Sequence, residues 1–129
     1  MKLTPSPTSF AKLILPHVDA ELRAAIDAEH QGDAALAFSR LERAHVLGQA
    51  STALHVRVHW LMFVWGWRRR SAKECVGQML RIAGAATKTA FGLVPYGNTG
   101  GSNISPFKRL PVPGDLAATI RQASSGSAM

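Results

Sequence analysis

Apolar residues recur at three- and four-residue intervals along most of this chain, and glycine, proline and capping residues break the pattern at a few places. Over 17–31, Leu22, Ala25 and Ile26 share a face with Glu29, and Asp19 stands where a capping residue belongs. Gly32 stops that helix and Asp33 caps a second over 34–47, which carries Phe38, Leu41 and His45 on one stripe and ends at Gly48. A third helix is predicted over 52–69. A fourth, capped by Ser71, is predicted over 72–91 and stopped by Gly92 and Pro95. No stretch alternates with the period of a strand. Short connections make neighbouring helices antiparallel, so the expected fold is all-α: a small, antiparallel, four-helix-bundle-like domain over 17–92.

The first hairpin has a tetratricopeptide look in Ala28, Gly32-Asp33, Ala37 and Leu41-Glu42-Arg43-Ala44. No second copy follows at a period of ~34 residues, which argues against a solenoid. On the third helix Leu54, Val58, Leu61 and Trp65 form one arc, His55, His59 and Met62 its flank, and Val56, Trp60, Phe63 and Trp67 the opposite side. A helix apolar nearly all round is expected to be central and buried. Outside the bundle, 1–16 is a Pro/Ser/Thr-rich lead. Residues 93–123 read as a turn-rich, extended strap, with Phe107 and Leu110 as anchors and a short helix over 115–122. Residues 124–129 read as a disordered tail.

A length of 129 residues fits one domain, and 47% apolar with 18% charged residues is a globular composition. A single cysteine, Cys75, excludes a disulfide framework and a CxxC zinc site. It is expected to be a core thiol. The longest apolar run, 60–67, is too short to cross a bilayer, and no signal-peptide pattern precedes it, so the expected location is the cytoplasm. Charge is uneven. Residues 1–42 hold four basic side chains against six acids, and residues 43–129 hold eleven against two, for a total of +7. A basic half fits an acidic protein partner. A nucleic-acid site built on Arg68, Arg69, Arg70, Lys73, Arg81 and Lys88 is the weaker alternative, because Arg68-Arg69-Arg70 also complements the dipole at a helix end. Oligomerisation is left open.

The histidines carry the chemistry. His17 and Glu21 are four apart, Glu42 and His45 three apart, and His55 and His59 four apart. Each spacing puts both side chains on one side of a helix. His-x3-His is a chelate spacing, and Glu-x2-His is that of carboxylate-bridged metal sites in bundles. If the second and third helices are antiparallel, His55 lies opposite about Glu42. Glu21, Glu42, His45, His55 and His59 then converge at one end, with His17 at its mouth and His30 at the other end. Buried imidazoles need partners, and a carboxylate or a metal supplies one. Nitrogen and oxygen donors suit a divalent transition metal: zinc, iron, manganese, nickel or copper. The candidate ligands are Glu42, His45, His55 and His59, with Glu21 and His17 as further candidates. The fourth helix returns toward this end and delivers Asn98, Thr99, Gly100 and Gly101, a loop able to lid the site or to cradle an anionic cofactor on its backbone N–H groups.

The strings Leu41-Glu42-Arg43-Ala44-His45-Val46-Leu47-Gly48-Gln49, His55-x3-His59-Trp60, Trp65-Gly66-Trp67-Arg68, Ala85-Ala86-Thr87-Lys88-Thr89-Ala90-Phe91-Gly92, Gly97-Asn98-Thr99-Gly100-Gly101 and Ser105-Pro106-Phe107 carry a resemblance. The chain resembles, over about 17–117, a small bacterial family known only as a domain of unknown function. That family is associated with gene neighbourhoods for heavy-metal resistance, so the resemblance implies a metal-related role and assigns no catalytic residue. Ferritin-like di-iron proteins share the Glu-x2-His spacing but use it twice, and this chain has it once. The expected function is a cytoplasmic metal-binding helical protein accessory to metal homeostasis or resistance. The alternatives are a non-catalytic helical interaction module with core histidines and a nucleic-acid binder. Nothing in the sequence signals turnover; for a catalytic centre, metal-assisted hydrolysis is the simplest reaction.

Overall fold

A computed structural model describes residues 7–88, 98–102 and 109–126. These form five helices: α1 (Pro7–His30), α2 (Ala34–Gly48), α3 (Thr52–Arg68), α4 (Ala72–Lys88) and α5 (Gly114–Ser125). No strand occurs among the described residues, in keeping with the expected all-helical, bundle-like fold.

The first helix starts at Pro7, not at residue 17. Proline in a first turn gives up an N–H that has no helical partner there. Pro16, inside α1, does remove a backbone bond, at a cost of about 3 kcal/mol. The offset comes from Phe10, Ile14 and Val18, one turn apart and buried, since each large apolar side chain taken from water contributes roughly 1.5–3 kcal/mol. The Pro/Ser/Thr-rich composition of 1–16 predicts a non-helical lead, and the buried stripe overrides it from Pro7 onward.

The α1–α2 turn follows its sequence signals. Gly32 has φ +77°, and the Asp33 carboxylate accepts from the Leu36 N–H at 3.0 Å. α2 then runs back along α1, α3 returns along α2, and α4 packs on α3. The Trp65 indole N–H donates to the Ala34 carbonyl at 3.0 Å and its ring lies 4.5 Å from that of Phe38, so the end of α3 is pinned to the start of α2. The core collects Ile14, Val18, Leu22, Leu41, Ala44, Leu47, Val58 and Met62.

α5 crosses α1 and α2 and inserts Leu116 and Ala123 into that core. It continues through Ser124 and Ser125 to a left-handed cap at Gly126, so those serines are helical, not part of a disordered tail. The expected end of α4 near Phe91, residues 93–97, the Phe107 anchor and Met129 lie outside the described residues.

One expectation for the middle of the chain is corrected. α3 is not buried all round: Trp60 is 55% and Trp67 70% exposed. Its inner face is Leu54, His55, Val58, His59, Met62 and Gly66. α4 is inverted relative to ordinary amphipathicity. It exposes Val76, Met79 and Leu80 and buries Glu74 and Gln78.

Candidate metal centre

His45 comes from the last turn of α2, and His55 and His59 from successive turns of α3. The short α2–α3 connection folds the two helices back on each other, so the three imidazoles meet across it. All three are buried. Their Nε2 atoms form a near-equilateral triangle, with 2.9 Å between His45 and His55, 3.1 Å between His45 and His59, and 3.0 Å between His55 and His59.

The far side of each ring decides what occupies the near side. His45 Nδ1 lies 2.6 Å from the backbone carbonyl of Asn98. A carbonyl only accepts, so Nδ1 carries the hydrogen. His59 Nδ1 lies 2.6 Å from Gln78 Oε1. The Gln78 amide nitrogen donates to Glu74 at 3.0 Å and to the Gly100 carbonyl at 2.9 Å. Both of those partners are acceptors, which fixes the amide with its oxygen toward His59. His59 therefore also carries its hydrogen on Nδ1. In a neutral imidazole that leaves Nε2 as a bare lone pair.

Both rings are held neutral. Burial, reinforced by the neighbouring imidazoles of His59 and His55, pushes His45 well below the usual histidine value. Burial pushes His59 down to about 4, against the Gln78 hydrogen bond and with the Arg81 charge adding to the fall. His45 and His59 thus face each other through two lone pairs 3.1 Å apart with no hydrogen between them. A cation bonded to both relieves that arrangement.

Around this triangle runs a second ring of contacts. Residues 98–102 lie across the cluster. Gly100, at φ +85°, is so close to His45 that an added Cβ would stand 2.6 Å from His45 Cδ2. The Asn98 side chain accepts from the Gly100 N–H at 2.9 Å, which shapes the turn. Ser102 donates to Glu74 through its backbone N–H at 3.2 Å and through its hydroxyl. Close packing sets α4 in place: a Cβ on Gly66 would lie 3.1 Å from Glu74 Cβ. That approach brings Gln78, one turn after Glu74, under His59.

The expected residues divide as follows. His45, His55 and His59 come together, each offering a ligand atom within 4.8 Å of the others. Glu42 is half-buried one turn before His45 and outside that group. Burial raises the pKa of its carboxyl, the nearby Thr99 side chain lowers it, and Glu74 raises it further. Glu21 is taken up elsewhere, by Arg40 at 3.2 Å and Arg43 at 3.0 Å. His17 is half-buried on α1 and does not join the group. In the loop of Asn98, Thr99, Gly100 and Gly101, the Asn98 carbonyl faces His45 and the Gly100 carbonyl faces Gln78. The Gly100 N–H, which an anion cradle would need, is already bonded to Asn98. Cys75 is half-buried rather than core, its thiol directed at the Phe63 carbonyl, and it lines a surface pocket with Trp67 and Val76.

Sequence reasoning missed Gln78, Glu74 and Ser102. Their only sequence signal is the 74/78 spacing, which puts a glutamate and a glutamine on one face of α4. Hydrophobic patterning assigns that face to solvent.

Residues 12–120 match the family described as "Protein of unknown function (DUF3703)". No curated protein and no solved structure matches the chain.

Proposed function

We propose that this chain, which belongs to the DUF3703 family, holds one divalent transition-metal ion on His45, His55 and His59 and serves in the cytoplasm in metal homeostasis or heavy-metal resistance. The observation that carries the reading is the pair of unprotonated Nε2 atoms of His45 and His59 at 3.1 Å, with their outer nitrogens committed to carbonyl oxygens. A metal-binding histidine ordinarily donates its other N–H in this way, which fixes the ring and raises its basicity.

Three imidazoles without a thiolate suit zinc, iron(II), manganese, nickel or copper(II). His45, His55 and His59 would hold such an ion through their Nε2 atoms, and three protein ligands would leave a further position for another donor. Glu42, one turn before His45, is the nearest candidate on α2 to reach that position directly or through water.

Growth under metal challenge tests the role. A strain lacking the gene is expected to be inhibited at lower zinc, nickel or copper concentrations than its parent. The intact gene restores growth and a His45→Ala copy does not. Restoration by the His45→Ala copy would remove the centre from the function.

A second reading rests on the outward apolar face. Trp67 and Val76 are exposed beside Arg69, Arg70 and Lys73, a combination that fits an acidic protein partner. Charge reversal at Arg69, Arg70 and Lys73 would release such a partner and leave the metal content unchanged.

A further inference from the structure

The strap of residues 98–102 is fastened on both sides of the cluster. Toward α2, the Asn98 carbonyl accepts from His45. Toward α4, the Gly100 carbonyl accepts from Gln78 and Ser102 is bonded to Glu74. Among the described residues α2 and α4 share no substantial packing, so the strap spans them over the histidines.

Two glycines form its seats. At Gly100 the strap backbone lies against the His45 ring. At Gly77, on α4, it lies so close that an added Cβ would stand 2.6 Å from Ser102 Cβ. Neither seat tolerates a side chain without displacing the strap. The Ser102–Glu74 fastening and the Gly77 seat involve none of the three histidines.

We propose that residues 98–102 are a latch that sets the rate of metal exchange, held shut by the Ser102–Glu74 contact and by the glycine seat at Gly77. This rests on the metal reading above and adds its regulation. An ion beneath the strap leaves on that side only when the strap lifts. Lifting frees the Asn98 carbonyl from His45 and the Gly100 carbonyl from Gln78, so opening also loosens the groups that orient two ligands. Metal and latch are therefore coupled, and whatever weakens the fastenings speeds release.

Gly77 separates this from a merely structural strap. Alanine is the better helix former, so Gly77→Ala favours α4 itself while pushing Ser102 away. Ser102→Ala removes the hydroxyl that donates to Glu74 and keeps the Cβ that meets the Gly77 seat. The experiment loads the full chain with zinc, removes the excess, and follows transfer to a chromogenic chelator by stopped flow. The Gly77→Ala and Ser102→Ala proteins are expected to release zinc at least tenfold faster than the parent. The metal-free Gly77→Ala protein is expected to melt no lower than the parent. Release within twofold of the parent for both Gly77→Ala and Ser102→Ala, from proteins that do carry zinc, overturns the latch alone. A parent that takes up no zinc overturns the metal reading and the latch with it.

Discussion

His45 and His59 point unprotonated Nε2 atoms at each other across 3.1 Å, each fixed in that tautomer by a carbonyl oxygen 2.6 Å from its Nδ1. Two features enforce this: the burial that keeps both rings neutral, and the Gln78 amide, whose nitrogen has only acceptors around it. The consequences reach affinity, stability and pH dependence.

Gln78 touches His59, one of the three proposed ligands, and lies outside the histidine cluster. Gln78→Leu removes the acceptor for His59 Nδ1 and leaves a buried N–H unpaired. Loss of such an outer contact typically weakens metal binding 10–100-fold, and the unpaired donor costs about 1–3 kcal/mol. Competition with a chelator of known affinity reads the first effect and urea unfolding of the metal-free protein the second. Unchanged affinity would show that the glutamine does not support the centre.

Gly100→Ala adds a methyl group 2.6 Å from His45 Cδ2 at a backbone φ of +85°. Strain of this kind costs of order 1–3 kcal/mol. The variant is expected to unfold at lower urea concentration and to bind metal more weakly than the parent. A variant as stable as the parent would mean that residues 98–102 do not pack on His45.

Glu21 is a test of selectivity. Its carboxylate is engaged by Arg40 and Arg43, a partly exposed network worth no more than about 1 kcal/mol. Glu21→Gln is expected to lower stability slightly and to leave metal stoichiometry intact. A drop in stoichiometry would return Glu21 to the ligand set.

The pH dependence has a definite sign. His59 titrates at about 4 in the folded protein, against 6.5 unperturbed, and His45 is also pushed well down. The unfolded chain therefore binds more protons than the native one between those values, and stability rises with pH across them. His59 alone accounts for about 3 kcal/mol lost on going from pH 7 to below 4. Glu42, with its raised value, works in the opposite direction. The metal-free protein should melt progressively lower as pH falls from 6.5. The metal-loaded protein should fall more steeply, because protons also displace the ion. Thermal melts with and without chelator measure both, and a metal-free melting point flat between pH 4 and 7 would contradict buried neutral histidines.

Much of the centre is legible in the sequence. His55 and His59 are one helical turn apart, and the Gly48–Thr52 region is too short for anything but a reversal, so His45 has to face them. Residues supplied by α4 and the strap are not legible. Hydrophobic patterning turns Val76, Met79 and Leu80 inward, whereas the protein buries Glu74 and Gln78 instead, because the polar centre needs polar partners. The same one-way rule misplaces Trp60 and Trp67, which apolar character alone would bury. At the N-terminus the prolines argue against a helix, and in the folded protein the buried stripe of Phe10, Ile14 and Val18 prevails.

The most direct test of the central claim is elemental analysis of the protein purified without a histidine tag, after loading with zinc and gel filtration, beside a His55→Ala/His59→Ala variant. The account predicts close to one equivalent of metal on the parent and less than a tenth on the variant. Less than a tenth of an equivalent on the loaded parent, or equal metal on both, would contradict it.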